Sequence, residues 1–302
     1  MKQQWRKLGL IFCPTGQHGW MNSHAAVPSA YSVGGDTFKV FFSSRDADNR
    51  SFTGSFLLDL ADPQRMVELA PKPVLEPGRL GGFDDSGAMS TWLAEHAGQK
   101  FLYYIGWNLG VTVPFRNSIG LAISRDGQEF SRYADGPILD RSAREPHFVA
   151  SCCVLPGEDK WRMWYLSCTG WTLRDGQPEH HYHIKYAESA DGLQWQRDGH
   201  VAIDYANDSE YAISRPSVLR DGDRWKMWYS FRGESYRIGY AESDDGKNWI
   251  RLDHLVGLDV SQSGWDSEMI EYPFVFDHKG RRYMLYNGNG YGRTGVGLAI
   301  LD

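Results

Sequence analysis

The segment Ile184-Lys-Tyr-Ala-Glu-Ser-Ala-Asp-Gly-Leu-Gln-Trp195 returns almost intact as Ile238-Gly-Tyr-Ala-Glu-Ser-Asp-Asp-Gly-Lys-Asn-Trp249, and this recurrence decides how the whole chain is read. A third copy, Ile119-Gly-Leu-Ala-Ile-Ser-Arg-Asp-Gly-Gln-Glu-Phe130, keeps the alternating apolar run and the Asp-Gly pair. A fourth, Val296-Gly-Leu-Ala-Ile300, stops near the last residue. Each copy predicts a strand, a tight Asp-Gly turn and a second strand led by an aromatic residue.

A second element recurs ahead of each hairpin: Phe38 to Phe42, Phe101 to Ile105, Trp161 to Tyr165, Trp225 to Tyr229 and Tyr283 to Tyr286. The spacing is roughly 60 residues, longer than the ~40–50 of familiar propeller repeats but of the kind that means radial repetition. Before each lies another apolar strand, beginning near Val27-Pro28, Ala88-Met89, Glu145-Pro146, Arg215-Pro216 and Tyr272-Pro273. Four strands per repeat predict an all-β chain, a single five-bladed β-propeller over residues 1–302 with four-stranded antiparallel blades. A β-sandwich of similar strand content does not predict a regular period. The last repeat lacks its fourth strand while Trp5 to Phe12 is a strand without a blade, so the N-terminal strand is expected to close the last blade.

Composition agrees. Aromatics make up 14% of the 302 residues and 33 are glycine, while the amphipathic runs that helices need are missing. A net charge of −6 with scattered basic residues argues against a nucleic-acid partner. No apolar run approaches membrane-spanning length, and Leu8 to Phe12 is too short for a signal peptide. Cys13, Cys152, Cys153 and Cys168 have neither zinc nor disulfide spacing, which points to reduced thiols and a cytoplasmic location.

Innermost propeller strands line a channel, so residues at their entrances converge on one pocket. Those entrances are polar here: Trp20-Met-Asn22-Ser-His24, Phe83-Asp84-Asp85-Ser86, Arg144-Glu145-Pro146, Ser214-Arg215-Pro216, and Trp265-Asp266-Ser-Glu268 with Glu271-Tyr-Pro273. Either an ion-pair network fills the channel or a ligand binds there, and the ligand site is the better reading.

These residues resemble the five-bladed propeller glycosidases: invertase-like, arabinanase/xylosidase-like and mannoside-phosphorylase-like enzymes of glycoside hydrolase families 32, 43 and 130. Trp20-Met21-Asn22 looks like the invertase segment Trp-Met-Asn-Asp-Pro, but Ser23 and His24 stand where that pattern has its nucleophilic Asp. Glu145 is similar to the general acid of the arabinanase-like families, and Asp84 and Asp85 to the Asp that tunes it. The resemblance implies carboxylate acid/base chemistry on an intracellular glycoside or activated sugar, with Glu145 as acid and Asp85 as base or tuner. Asp46 or Glu271 are the other candidates for the second role.

Arg45 and Asp46 read as binding residues or as an intrablade ion pair. Arg144 and Arg215 read as oxyanion clamps or as partners of Glu145 and Glu271. Trp20 and Trp265, out of phase with the repeat, suit stacking on a sugar, and Trp107 and Trp171 share that setting. His180, His181 and His183 look like a metal cluster but are expected on a solvated loop edge. No loop requires a metal or cofactor. Two alternatives stay open: a phosphate-dependent phosphorylase, which needs one catalytic carboxylate and explains the absent Asp, and a non-hydrolytic propeller that binds a sugar or rearranges a biosynthetic intermediate.

Overall fold

A computed structural model describes residues 1–302, the side chains of residues 66 and 67 excepted. β1 (Trp5–Phe12) is followed by a first unit of β2 (Ser23–Gly34), β3 (Thr37–Arg45), β4 (Ser51–Asp59) and β5 (Met66–Leu69). The second contains β6 (Gly87–His96), β7 (Gln99–Leu109), β8 (Phe115–Ser124) and β9 (Ser131–Arg132). The third contains β10 (Val149–Leu155), β11 (Trp161–Arg174), β12 (Gln177–Ser189) and β13 (Val201–Ile203). The fourth contains β14 (Ala212–Asp221), β15 (Arg224–Arg232), β16 (Tyr236–Ser243) and β17 (Ile250–Arg251). The last contains β18 (Glu271–His278), β19 (Arg281–Asn287) and β20 (Val296–Leu301).

Each unit is an antiparallel meander. Units one and two share a sheet through a single parallel bridge, Ser51 to Gly87, and units three and four through Tyr182 to Ala212. In the last unit β1 supplies the fourth strand, pairing antiparallel with β20 from Trp5–Leu301 to Phe12–Val296. First strands touch in cyclic order, β2 to β6, β10, β14, β18 and back to β2.

The Asp-Gly turns do more than reverse the chain. In each, the Asp carboxylate accepts from the Ser two residues earlier and from backbone N–H groups beyond the turn, as Asp191 does from Ser189, Leu193 and Gln194. Glycine takes the left-handed conformation, with φ +74° at Gly127, +75° at Gly192 and +74° at Gly246. The glycine carbonyl then accepts from an aromatic residue of the preceding unit: Tyr31 to Gly127, Tyr103 to Gly192, Trp164 to Gly246. The recurring sequence is therefore a docking element between units.

Prolines in three first strands are tolerated because each follows a bulged residue at positive φ: Val27 (+54°), Arg215 (+51°) and Tyr272 (+54°). An inner edge leaves N–H groups without ladder partners, and those groups need acceptors when buried. Side chains of the neighbouring unit supply them: Thr53 for Ser90, Thr91 for Cys152, Ser151 for Arg215, Ser217 for Val275 and Asn287 for Val27, at 2.8 to 3.1 Å. Buried apolar side chains such as Phe42, Tyr103, Trp164 and Leu285 fill the space between units. No helix is long and apolar enough to cross a membrane.

Candidate active site in the central pocket

A pocket of about 280 Å³ opens where the five units meet. Val27 and Arg45 come from the first unit, Met89, Ile105, Phe115 and Asn117 from the second, and Phe148, Ser151, Leu166, His180 and Tyr182 from the third. Ser214 and Arg232 come from the fourth, and Tyr272 and Tyr291 from the last. The floor includes two of the bulged residues, Val27 and Tyr272, and Ser214 beside the third, so strained backbone concentrates here.

Glu271, the first residue of β18, is fully buried next to Tyr272. Neither carboxylate oxygen has a hydrogen-bond partner; the Tyr272 hydroxyl and the Tyr291 amide face it without meeting hydrogen-bond geometry. Burial pushes its pKa well above the ordinary glutamate range, and the positive charge of Arg232 offsets this only in part. Its surroundings therefore favour the protonated form of Glu271.

Arg232 donates to the Tyr291 hydroxyl at 2.9 Å and lies over the rings of Tyr211 (5.3 Å), Tyr236 (5.7 Å) and Tyr291 (5.9 Å). The Tyr182 and Tyr236 hydroxyls are hydrogen-bonded to each other behind it. Tyr291 sits at φ +60° between Gly290 and Gly292, in a helical turn (Asn289–Gly292) held by Asn289, whose side chain accepts from the Glu268 and Met269 amides. Two histidines, His180 in the pocket lining and His24 near Arg45, are held neutral. His180 is pushed down to about 4 by burial and by Arg232, and His24 to about 4 by burial, Arg45 and Arg293. His24 bonds Ser23 at 2.9 Å.

Neither Arg45 nor Arg232 pairs with a carboxylate among the described residues. Asp46 is taken by Arg50 at 2.8 Å and by the amides of Asp48 and Arg50, so the expected ion pair with Arg45 is replaced by one with Arg50. Two unpaired guanidinium groups in one cavity suit an oxyanion.

The other expected acidic residues lie elsewhere, in a repeated motif. In four units a tyrosine of the second strand donates to a carboxylate that also meets a cation, buried at Asp84, Glu145 and Asp266 and half-buried at Asp253. Asp84 accepts from Tyr104 at 3.0 Å and Arg132 at 2.8 Å. Glu145 accepts from Tyr165 at 3.1 Å, Ser167 at 2.7 Å and Arg197 at 2.8 Å, with Lys185 at 3.4 Å. Asp253 meets Tyr229 and Arg251, and Asp266 meets Tyr286 at 3.0 Å and Lys7 at 2.7 Å. Arg132, Arg197 and Arg251 each stand two residues beyond the aromatic that ends the recurring segment, a signal visible in the sequence.

Glu145 thus does not line the pocket, and its expected partner Arg144 is exposed, using only its amide, on Ser142. Asp85 is a loop residue: burial raises its pKa, but hydrogen bonds from Asn108, the Gly81 amide and Ser86 outweigh this and hold it low. Arg215 is fully buried and donates to the Pro28 carbonyl at 2.7 Å between Trp92 and Phe274, away from Glu271 and from any clamp position. Trp20 and Trp265 are in phase after all. Trp20 lies over Gly54 and against Phe42, Phe83 over Gly106, and Trp265 over Gly297 and Tyr286, so these rings pack their own units instead of facing the pocket. Asn22 and Glu268 are exposed. His180, His181 and His183 are in β12 and not on a loop edge, with His180 stacked on Tyr182 at 4.9 Å. Among the described residues no group of three or more His, Cys, Asp or Glu is placed to hold a metal.

No protein-family model matches the sequence. Over 298 residues it is 45% identical to the uncharacterized proteins MT1551 and Rv1502 of two Mycobacterium tuberculosis strains, CDC 1551 / Oshkosh and H37Rv, covering 99% of this chain and of each relative. The chain belongs to their family. Solved structures place that family's fold. A glycosyl hydrolase from Bacteroides ovatus has TM-score 0.75 at 13% identity, covering 99% of this chain and 94% of its own. A structure described under the GH130 mannoside phosphorylases, with glycoside hydrolases that target β-1,2 mannosidic linkages in Candida mannan, has TM-score 0.74 at 15% identity over 99% and 94%. A thermostable family-43 glycoside hydrolase has TM-score 0.70 at 16% identity over 93% and 88%. The family shares the fold of the propeller glycosidase-like superfamily.

Proposed function

We propose that the five units are the blades of one closed propeller over residues 1–302, and that the protein cleaves a glycoside or activated sugar in its central pocket. Glu271 is the proton donor and Arg45 with Arg232 hold an oxyanion. The observation that carries this reading is a fully buried glutamate with no hydrogen-bond partner and a raised pKa, beside a cavity with two unpaired arginines. Hydrolysis of a glycoside ordinarily uses two carboxyl groups. Among the described residues no carboxylate lines the pocket, so a bound phosphate is the better nucleophile. In that step the Glu271 proton reaches the glycosidic oxygen by way of the Tyr272 hydroxyl, which donates its own proton to the leaving oxygen and takes that of Glu271 as the C–O bond breaks. A phosphate oxygen bonds the anomeric carbon, a sugar 1-phosphate leaves, and Glu271 regains its proton from the phosphate or solvent.

On this reading Glu145, Asp84 and Asp266 hold the blades together, and a cytoplasmic setting keeps thiols such as Cys152 and Cys153 reduced. The test is turnover of nitrophenyl glycosides, and the reverse reaction from sugar 1-phosphates, with and without phosphate. Glu271→Gln is expected to lose about 10²-fold or more in rate while keeping its fold and its thermal shift with phosphate. Full turnover in Glu271→Gln, with loss in a folded Glu145→Gln, returns the acid role to Glu145.

A further inference from the structure

The pocket lining is mixed. Beside Arg45, Arg232, Tyr272 and Tyr291 it includes Met89, Ile105, Phe148 and Leu166, which belong to one apolar cluster and make a wall that offers sugar hydroxyls no partner. That wall continues outward. Phe115, also in the pocket, packs against Trp171 at 5.5 Å, and Phe148 packs against the same indole at 5.7 Å. Leu109 is the direct cross-strand partner of Phe115, so the two share a sheet face. Leu173, two residues beyond Trp171 on β11, shares a face with it. Both leucines are open, Leu109 at 74% and Leu173 at 77% of full exposure. Single exposed leucines are ordinary. Leu109 extends the wall along β7, and Leu173 extends it onto the β11–β12 hairpin, whose strands have 14 and 13 residues against 9 and 8 in the next unit.

We infer that the substrate's leaving group is a hydrocarbon or aromatic chain, lying along the strip from Phe148 through Phe115 and Trp171 to Leu109 and Leu173, with its anionic neighbour on Arg45 and Arg232. The occupant is argued from the juxtaposition of an apolar strip and two unpaired cations in one cavity, the complement of an amphipathic glycoside. This rests on the cleavage reading above only in calling the chain a leaving group; the binding surface stands independently of it.

Calorimetric titration with inorganic phosphate, phenyl phosphate and n-hexyl phosphate, kept below micelle-forming concentration, tests the assignment. Hexyl phosphate is expected to bind at least tenfold tighter than phosphate, with phenyl phosphate between them. Leu173→Asp, a change at an exposed position, is expected to remove most of the hexyl advantage and leave phosphate affinity unchanged. Arg232→Gln is expected to weaken all three. Equal affinities for the three probes, in a protein that does bind phosphate, overturn the apolar subsite and leave the phosphorolysis reading intact. Hexyl phosphate bound through Leu173 with no affinity for phosphate supports the strip and removes the oxyanion reading. A concentration-dependent dimer in sedimentation that Leu173→Asp dissolves, with hexyl phosphate binding unaffected, makes the strip a contact between two copies and overturns the proposal.

Discussion

Glu145 and Glu271 are the same residue type, each almost fully removed from water, and they differ in everything that surrounds them. Glu145 has Tyr165, Ser167, Arg197 and Lys185 arranged around its two oxygens. Glu271 has no hydrogen-bond partner. Burial of a charge costs several kcal/mol unless partners compensate it, and only Glu145 has cations and hydroxyls placed to do so. The first arrangement recurs at Asp84, Asp253 and Asp266 and ties the second strand of each of these four units to the residues flanking its sheet. The second occurs beside the pocket. The repeated group is architecture; the unrepeated one is available for chemistry.

Removing one side of a saturated site breaks this contrast most strongly. Glu145→Ala leaves Arg197 and Lys185 as uncompensated cations at a site only 4% exposed, and the expected loss is about 3–5 kcal/mol of unfolding free energy. Glu271→Gln removes a carboxyl group whose charged form burial disfavours, and its stability at neutral pH is expected to equal or exceed that of the parent. Urea unfolding of the pair measures the difference directly. Equal losses in both would erase the distinction on which the site assignment stands.

The same contrast explains what the sequence made legible. Repeats, aromatic second strands and the pairing of Trp5 to Phe12 with the last strand are local patterns of period and composition, and each is found in the structure. The site was legible only in part. A carboxylate beside a proline looks alike at Glu145-Pro146 and at Glu271-Tyr-Pro273, yet Glu145 precedes its strand by four residues whereas Glu271 begins one. Which of them is satisfied depends on cations from distant segments, and only the arginine two residues past Trp195 hinted at it. Arg232, Tyr272 and Tyr291 carry no motif; a bulge and a run of left-handed residues aim them. Trp20 and Trp265 misled because their equivalence with Phe83 lies in the glycines they cover.

A pH series sharpens the comparison with a smaller effect. The pKa of Glu271 is higher folded than unfolded, so the native state keeps a proton that the unfolded chain has released. Stability from that difference is complete below the ordinary glutamate value of about 4.3 and is lost as pH rises through the folded value, at about 1.4 kcal/mol per pH unit across that window. The gap in melting temperature between Glu271→Gln and the parent is therefore expected to widen as pH rises above the ordinary glutamate value toward the folded one. A gap that stays constant assigns Glu271 an unshifted pKa.

The docking turns lie one step further down the scale, because their carboxylates are satisfied mostly by backbone amides at the surface. Asp191→Ala removes acceptors for the Ser189 hydroxyl and for the Leu193 and Gln194 amides, all able to turn to water, and is expected to cost about 1–2 kcal/mol.

The smallest effect is expected where sequence and structure disagree most sharply. Arg144 adjoins Glu145 in the chain and invites the role of its counter-ion, yet its side chain is exposed and Arg197 fills that role from 52 residues away. Arg144→Ala is expected to change unfolding free energy by no more than about 0.5 kcal/mol and to leave turnover untouched, as surface substitutions away from specific contacts do. Arg197→Ala carries the large penalty instead, since it strips the shortest cationic contact from a buried carboxylate. If the two variants exchanged their effects, the carboxylate of Glu145 would have to turn outward toward Arg144 and solvent. Tyr165 and Ser167 would then lose their acceptor, and the equivalence of this site with Asp84 and Asp266 would fail along with it.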